Sequence, residues 1–231
     1  MPNMLILTGA GISAESGIST FRDNDGLWER HRFEDLATPE AFRRNPELVH
    51  RFYNARRAQL KVVAPNPAHL ALAALEEAWE GRGAFLLVTQ NVDDLHERAG
   101  SKRLVHMHGE IRKLRCEACG EVVYHEADAG TGLACRGCQI KGRMRPHIVW
   151  FGEMPFGMDE IYAAAEAADI FVAIGTSGVV YPAAGLVDAV RQNGRGCETI
   201  EINPKPTGNP SFCSVIAETA VVGVPKLLEM F

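Results

Sequence analysis

A glycine loop, an amide–acid cluster, a histidine beside a glycine and two cysteine pairs are the groups in this sequence with chemistry to offer. Gly9-Ala10-Gly11 follows the apolar run Met4 to Leu7, and the residues after Gly11 could open a helix. Strand, glycine turn and helix start make a phosphate site: glycine lets the backbone approach a ligand, and a helix start offers unpaired N–H groups. Gly9-x-Gly11-x-x-Ala14 fits the relaxed dinucleotide fingerprint, with Ser13 inside it. Two readings of the loop stand side by side, a pyrophosphate cradle and an unliganded turn. The acidic ribose partner of a hydride-transfer dehydrogenase is missing from its expected strand; Asp23 and Asp25 sit in the polar turn Arg22–Gly26.

Gln90-Asn91-Val92-Asp93-Asp94 follows a second apolar run, Ala84–Thr89. In an open α/β sheet, ligands gather beyond the carboxyl ends of the strands, which brings this cluster near the glycine loop. Asn91 and Asp93 could hydrogen-bond a ribose or a carboxamide, or either could cap a helix. His108, in Leu104-Val105-His106-Met107-His108-Gly109-Glu110, is a candidate general base, because imidazole titrates near physiological pH. His106 is expected to face away from His108, or nearly so. His31, His50, His69 and His125 are read as non-catalytic.

Cys116-x2-Cys119 and Cys135-x2-Cys138 are separated by fifteen residues, the spacing of a four-cysteine zinc site. Four thiolates close the coordination shell, so the metal is expected to be structural. Disulfides or a redox pair are the alternatives, and an intracellular setting disfavours them. Cys197 and Cys213 lack the spacing and read as buried or partly buried thiols.

These groups need elements to position them. Apolar runs at Met4–Leu7, Ala84–Thr89, Ile170–Gly175, Thr199–Asn203 and Thr219–Val222 read as buried parallel strands. Helical patterns at Ala68–Trp79, Asp159–Ala168 and Ala183–Gln192 lie between some of them. The expected fold class is α/β, a doubly wound parallel sheet with a smaller inserted helical and zinc-binding module. The 231 residues suit one large domain, or a domain carrying a smaller insert. Residues 1–26, 81–111 and 147–231 would form the large part, with 27–80 (helical) and 112–146 (zinc-binding) forming the small module. Residues 27–66 show no clear strand.

The formal net charge of −5 argues against wholesale nucleic-acid binding. Residues 112–115 and 141–145 are locally basic, which keeps a nucleic-acid-binding zinc ribbon as a low-ranked reading. With neither a leader peptide nor a membrane-length apolar run in view, a cytoplasmic protein is expected, without a membrane partner or an added targeting arm.

GAGISAESGISTFRD, TQNVDDLHERAG, HMHGE, the two cysteine pairs, IVWFGE and GTSGVVYPAAG occur in this order over nearly the whole chain. Together they resemble the sirtuin family of NAD-dependent protein deacylases. The resemblance implies a Rossmann-type domain and a small zinc module, with NAD and an acyl-lysine protein or peptide meeting between them. It assigns Ala10, Gly11, Phe21 and Arg22 to the NAD loop, with Asp23 beside them. It gives Gln90, Asn91 and Asp93 to the nicotinamide and its ribose. Gly175, Thr176, Ser177, Asn203 and Ala220 go to the adenosine half. His108 becomes the base, with Asn91 beside it in the chemistry. The segment Val149–Glu153, with Phe151 and Gly152, would pair with the substrate backbone. The implied reaction consumes NAD through an alkylimidate and yields nicotinamide, free lysine and O-acyl-ADP-ribose. ADP-ribosyl transfer to protein is the alternative on the same cleft. Ser19 stands where many members carry Pro, with a modest effect on loop stiffness expected.

Residues 47–60 read as a helix after Pro46, and Tyr53 and Arg56, three apart, share one face. Alone, the pair reads as part of a surface helix. In the context DLATPEAF followed by Tyr53-x-x-Arg56 it resembles the desuccinylase-type branch, in which a small residue matching Ala37 widens the acyl pocket. An Arg fork and a Tyr hydroxyl would hold the carboxylate of a succinyl or malonyl group, and acetyl-lysine would also be accepted.

Overall fold

Alternating residues of the first strand face opposite layers, and the whole large domain follows from that. In β1 (Met4–Thr8), Met4 and Ile6 point to one helical layer and Leu5 and Leu7 to the other. All strands of the sheet are parallel. They run β11 (Ser214–Ile216), β10 (Glu198–Ile202), β9 (Ile170–Ile174), β1, β4 (Phe85–Thr89) and β5 (Leu104–His106). The computed structural model describes residues 1–18, 27–28, 31–32 and 35–231, the two dipeptides by backbone alone.

One face of the sheet is covered by α3 (Pro67–Ala78) and α7 (Ala220–Met230), through Leu72, Leu75, Val224 and Leu227. The other is covered by α5 (Met158–Ala167) and α6 (Leu186–Arg191), through Ile161, Ala165, Leu186 and Val190. The chain leaves β1 towards β4 on one side and returns to β9 on the other. The loops after β1 and β9 therefore diverge, and a crevice opens at this switch point.

Three expectations are corrected here. Thr219–Val222 is not a strand: it begins α7, and the outer strand is Ser214–Ile216. Ala220 and Val224 face the sheet one helical turn apart, so a short apolar run served a buried helix. Residues 27–66 do contain strands, a two-residue antiparallel ribbon of β2 (Leu27–Trp28) and β3 (His31–Arg32). Helix α3 packs on the large sheet, whereas the expected division at residue 80 put it in the small module.

The small module pairs two helices with a three-stranded antiparallel sheet. Thr38 and Asn45 cap α1 (Pro39–Arg44) and α2 (Pro46–Gln59), each accepting from a backbone N–H three residues on. Strand β6 (Gly109–Cys116) lies between β7 (Val122–Tyr124) and β8 (Met144–Ile148). Helix α2 buries Val49, Phe52 and Tyr53 against Ile111, Ile148 and Trp150. Among the described residues no helix is long and apolar enough to cross a membrane.

Candidate functional site

The crevice is lined first by glycine against glycine. Gly9 N–H donates to Ile174 O at 2.9 Å and Gly11 N–H to Gly175 O at 3.0 Å. A Cβ on Gly11 would lie 2.7 Å from Gly175 Cα, and one on Gly175 (φ +60°) 2.7 Å from Gly11 Cα. The glycines are thus needed for contact between the two loops as well as for any ligand. The expected helix after Gly11 is instead two 3-10 turns, Ala10–Ile12 and Ala14–Ser16, ending at Gly17 in the left-handed region. Ala10 and Gly11 are half-buried, Ser13 is buried and Ala14 is exposed. Ser19, Phe21, Arg22 and Asp23 lie outside the described residues.

Beneath this loop runs a buried polar floor. Asn91 Nδ2 donates to Gly9 O at 3.2 Å and to Ser13 Oγ at 3.1 Å. Ser13 Oγ–H donates to Asp93 Oδ2 at 3.0 Å, and Asp93 Oδ1 accepts Leu95 N–H at 3.1 Å. Burial raises the Asp93 pKa, and these two donors oppose the rise. Thr8 Oγ1 donates to Thr89 Oγ1 at 2.9 Å and meets His96 Nε2 at 3.0 Å. His69 stands beside Ser13 with Nε2 at 3.5 Å, and its Nδ1 joins the Asn66 cap of α3. Burial pushes the His69 pKa down to about 4 and that of His96 well below its usual value. Both rings are neutral at pH 7. The sequence assigned His69 no part in the site and gave no role to Thr8, Thr89 or His96, although Thr89 and His96 lie within TQNVDDLHERAG.

The amide–acid turn also fixes two further imidazoles, which corrects the expectation that His106 faces away from His108: residues two apart in an extended segment share a face, and both rings reach this turn. His108 Nδ1 lies 3.1 Å from Gln90 O, and His106 Nδ1 lies 3.2 Å from Asn91 O. Carbonyls only accept, so Nδ1 of His108 carries the hydrogen and Nε2 holds the lone pair. Burial lowers the His108 pKa, which keeps the ring neutral near pH 7. On the opposite side of the glycine cradle, Asn203 Nδ2 donates to Thr176 O at 2.7 Å, and its Oδ1 accepts Lys205 N–H. Gly175, Thr176 and Ser177 follow β9, and Ala220 is buried at the start of α7. The fold therefore gathers these residues at the carboxyl ends of neighbouring strands.

In the small module, Ala37, Tyr53 and Trp150 belong to one apolar cluster. Tyr53 is 1% exposed and its oxygen accepts Trp150 Nε1–H at 2.9 Å. Burial drives the phenol up to about 12, so it remains a donor at any working pH. Arg56 is buried on the same helix face, its guanidinium 4.4 Å from the Phe52 ring centroid. A solvated surface pair is excluded.

The segment after β8 differs from the expected open strand edge. Val149 N–H donates to His108 O, Phe151 N–H to Ala37 O, and Glu153 N–H to Trp150 O. Gly152 lies in the turn with φ +87°. Glu153 accepts from Arg145, Arg115 and Trp150 N–H, which holds the turn from within. Arg145 Cζ sits over the Trp150 ring, 3.3 Å from its centroid. The N–H groups of Val149, Trp150, Phe151 and Glu153 are thus engaged inside the chain. Arg145 and Trp150 went unassigned in the sequence, although Trp150 lies within IVWFGE.

The four cysteines converge. Their sulfurs lie within 4.8 Å of one another, with Cys116–Cys138 at 3.7 Å and Cys119–Cys135 at 3.6 Å. Zinc–sulfur bonds of about 2.3 Å in a tetrahedron set the sulfurs about 3.8 Å apart, so the donor set fits one zinc ion. Cys197 is buried as expected, but Cys213 is exposed beside Thr199 and Arg191.

A polar-floored crevice at the switch point of a doubly wound sheet places the chain among Rossmann-type dinucleotide folds. A model of the Sir2 family matches residues 9–182. An NAD-dependent protein deacylase of Vibrio parahaemolyticus serotype O3:K6 is 56% identical over 230 residues, covering 98% of this chain and 94% of that one. Another, from Salmonella typhimurium, is 59% identical over 208 residues, covering 89% and 75%. The crystal structure of a Sir2 homologue–NAD complex matches with a TM-score of 0.88 at 42% identity, over 99% of this chain and 88% of that one. A complex of Sir2 with p53 peptide and NAD+ matches with a TM-score of 0.80 at 29% identity, over 99% and 92%. This chain belongs to the Sir2 family.

Proposed function

We propose that the chain is an NAD-dependent protein-lysine deacylase acting on acyl-lysine peptides, with succinyl- or malonyl-type groups and acetyl among its substrates. The observation that carries the reading is the imidazole of His108, neutral and with Nδ1 tied to Gln90 O. That tie leaves Nε2 to accept a proton, on a turn whose next residue, Asn91, belongs to the Asn91–Ser13–Asp93 floor. The relatives named as deacylases favour this over ADP-ribosyl transfer.

When bound, NAD supplies an activated ribose carbon and a nicotinamide leaving group. The glycine cradle with Ala10, Ser13 and Ala14 receives the pyrophosphate; Phe21 and Arg22, which the resemblance assigns to the same loop, lie outside the described residues. Gln90, Asn91 and Asp93 orient the nicotinamide ribose. Thr176, Ser177, Asn203 and Ala220 hold the adenosine half around Gly175. His108 Nε2 takes the proton of a ribose hydroxyl, a step commonly worth about 10²–10⁴-fold in rate. Cys116, Cys119, Cys135 and Cys138 hold zinc away from the reacting atoms and fix β6 and β8, which carry His108 and Val149 at their ends.

Ala37, Tyr53 and Arg56 form the acyl pocket. A buried guanidinium beside a phenol that stays protonated suits the carboxylate end of a succinyl group. Val149, Phe151, Gly152 and Glu153 shape the peptide side of the entrance. The test is mass spectrometry on paired peptides, acetylated or succinylated on one lysine, with and without NAD. NAD-dependent loss of succinyl, with nicotinamide and O-succinyl-ADP-ribose, supports the full reading. Loss of acetyl alone sinks the carboxylate pocket. Label from NAD retained on protein, with no acyl loss, moves ADP-ribosyl transfer ahead.

A further inference from the structure

Two adjacent carbonyls of one turn hold two imidazoles, and the imidazoles diverge at their other nitrogen. His108 and His106 each direct Nδ1 to the turn, at Gln90 O and Asn91 O. His106 Nε2, however, lies 2.8 Å from Glu97 Oε1. A carbonyl on one side and a carboxylate on the other both accept, so the ring satisfies both only with hydrogens on both nitrogens. His106 is thus bridged as an imidazolium between α4 (Leu95–Ala99) and the turn that carries Asn91.

We infer that His106 is a positioning residue: as an imidazolium joining Glu97 to the Asn91 carbonyl, it holds the 90–91 turn, and through it His108, in the arrangement that binds NAD. The inference rests on the reading of Gln90–Asp93 as the nicotinamide-ribose turn. His106 reaches this turn only through the Asn91 backbone.

Groups of both signs surround His106, and Asp94 is paired with the cations Arg98 and Arg112. From α4 and its cap come Glu97 and Asp94, and from the turn Asp93. Strand β6 brings Glu110, itself paired with Lys113. Lys102 and His147 lie on the wall of the adjoining cavity, and neutral His96 is nearby. Glu97 and Glu110 raise the His106 pKa although burial lowers it, and Glu97 is lowered in return. His106 is therefore charged below its raised pKa and loses its bridge as pH rises through it. His108 must be neutral, and its pKa is lowered. The two histidines bound a working window, His108 from the acid side and His106 from the alkaline side.

The test uses the zinc-loaded enzyme, wild type and Glu97→Gln, with His106→Gln as a second variant. Glu97 lies at the surface, so its amide leaves the fold intact. Histidine-selective nitrogen-15 NMR without substrate reads the ring directly. The expected result is an imidazolium at His106 at pH 7 in wild type and a neutral ring in Glu97→Gln. NAD affinity by calorimetry and KM against pH read the positioning. In Glu97→Gln, NAD binding at pH 7 weakens about tenfold, the worth of one charge-assisted hydrogen bond. Peptide KM changes less than about twofold, and the alkaline limb moves to lower pH. His106→Gln loses the alkaline limb altogether. A neutral His106 ring in wild type at pH 7, or unchanged NAD affinity in Glu97→Gln, overturns the inference. Because ring charge and NAD affinity need no turnover, an enzyme that fails to deacylate would sink the proposed reaction and leave this test readable.

Discussion

The two sheets of this molecule are held by opposite means. The six-stranded sheet lies between two thick apolar layers, with Ile6, Leu72, Leu87, Val172 and Leu227 fully buried on one face and Val88, Ile161, Phe171 and Val190 on the other. At the cysteine end of the three-stranded sheet, the buried cluster is Leu114, Cys116, Ala129, Cys135 and Met144. Two of those five are metal ligands, and Val122 and Tyr124 of β7 face solvent. The large sheet carries its own stability. The small one is too thin to do so, and ligand bonds replace the missing apolar area.

The largest break in that comparison comes from the metal. Replacing Cys135 by Ser, or stripping zinc with a chelator, is expected to unfold residues 112–146 locally. Peptide deacylation should then fall more than about 100-fold, while β1, β4 and β9 keep their hydrogen-exchange protection. A structural zinc typically contributes on the order of 10 kcal/mol, far more than five small buried residues can return. Undiminished protection of β6 and β8 in the apo protein would overturn the contrast.

Chemistry and fold separate in the opposite way on the large sheet. His108→Ala should cost about 10²–10⁴ in kcat with zinc content and Tm unchanged. A matching fall in Tm would mean that the ring mainly holds the Gln90 turn together.

Acid sharpens the contrast again. The His69 pKa is depressed to about 4, so its unfolded form binds a proton that the folded form refuses between pH 6.5 and 4. Stability is full above 6.5 and falls as pH drops through that interval, by roughly 3 kcal/mol from this ring alone. His96, lowered further still, adds to the slope. Urea unfolding followed at β1 and β4 should show the slope, and His69→Gln should flatten it. An equal slope in the variant would place the acid sensitivity elsewhere.

What the sequence made legible follows the same division. Strands β1, β4 and β9 were readable because sheets buried on both faces leave continuous apolar runs, whereas β10, with Glu198 and Glu201 in it, shows its place only by the β-branched Thr199, Ile200 and Ile202. The cysteine knuckle was readable because ligand spacing is local. Thr219–Val222 misled because one turn of a buried helix and a short buried strand have the same apolar composition. The floor of the crevice was only half legible. Asn91 and Asp93 stand beside a strand end, but Thr8, His69 and His96 come from three separate elements that meet only after folding. Glu153 looked like an edge residue because nothing in its neighbourhood announces Arg115, 38 residues earlier in the chain.

The acyl pocket tests whether the small module also contributes specificity. Arg56→Met should lower kcat/KM for a succinyl peptide roughly 10–100-fold, the range of a charge-assisted hydrogen bond. Acetyl peptide should change less than about threefold. Equal losses on both peptides would argue that Arg56 supports the fold of α2 and does not read the substrate.

Tyr53→Phe is the finest cut, because one oxygen serves two partners. As acceptor, it satisfies Trp150 Nε1–H inside the apolar cluster. As donor, its phenol, held protonated by a pKa of about 12, faces the proposed carboxylate. Removing the oxygen strands the indole N–H, at about 1–3 kcal/mol of stability, whatever the substrate. It removes a donor only from acyl groups that end in a charge. Two readouts therefore separate the roles: Tm falls in both readings, but the ratio of desuccinylation to deacetylation drops, by about fivefold, only if the hydroxyl reaches the substrate. Trp150→Phe supplies the complement, since it frees the Tyr53 oxygen without removing it. A ratio that falls in Tyr53→Phe and holds in Trp150→Phe would assign selectivity to the phenol. Equal shifts in both would assign it to the packing of the cluster around Ala37.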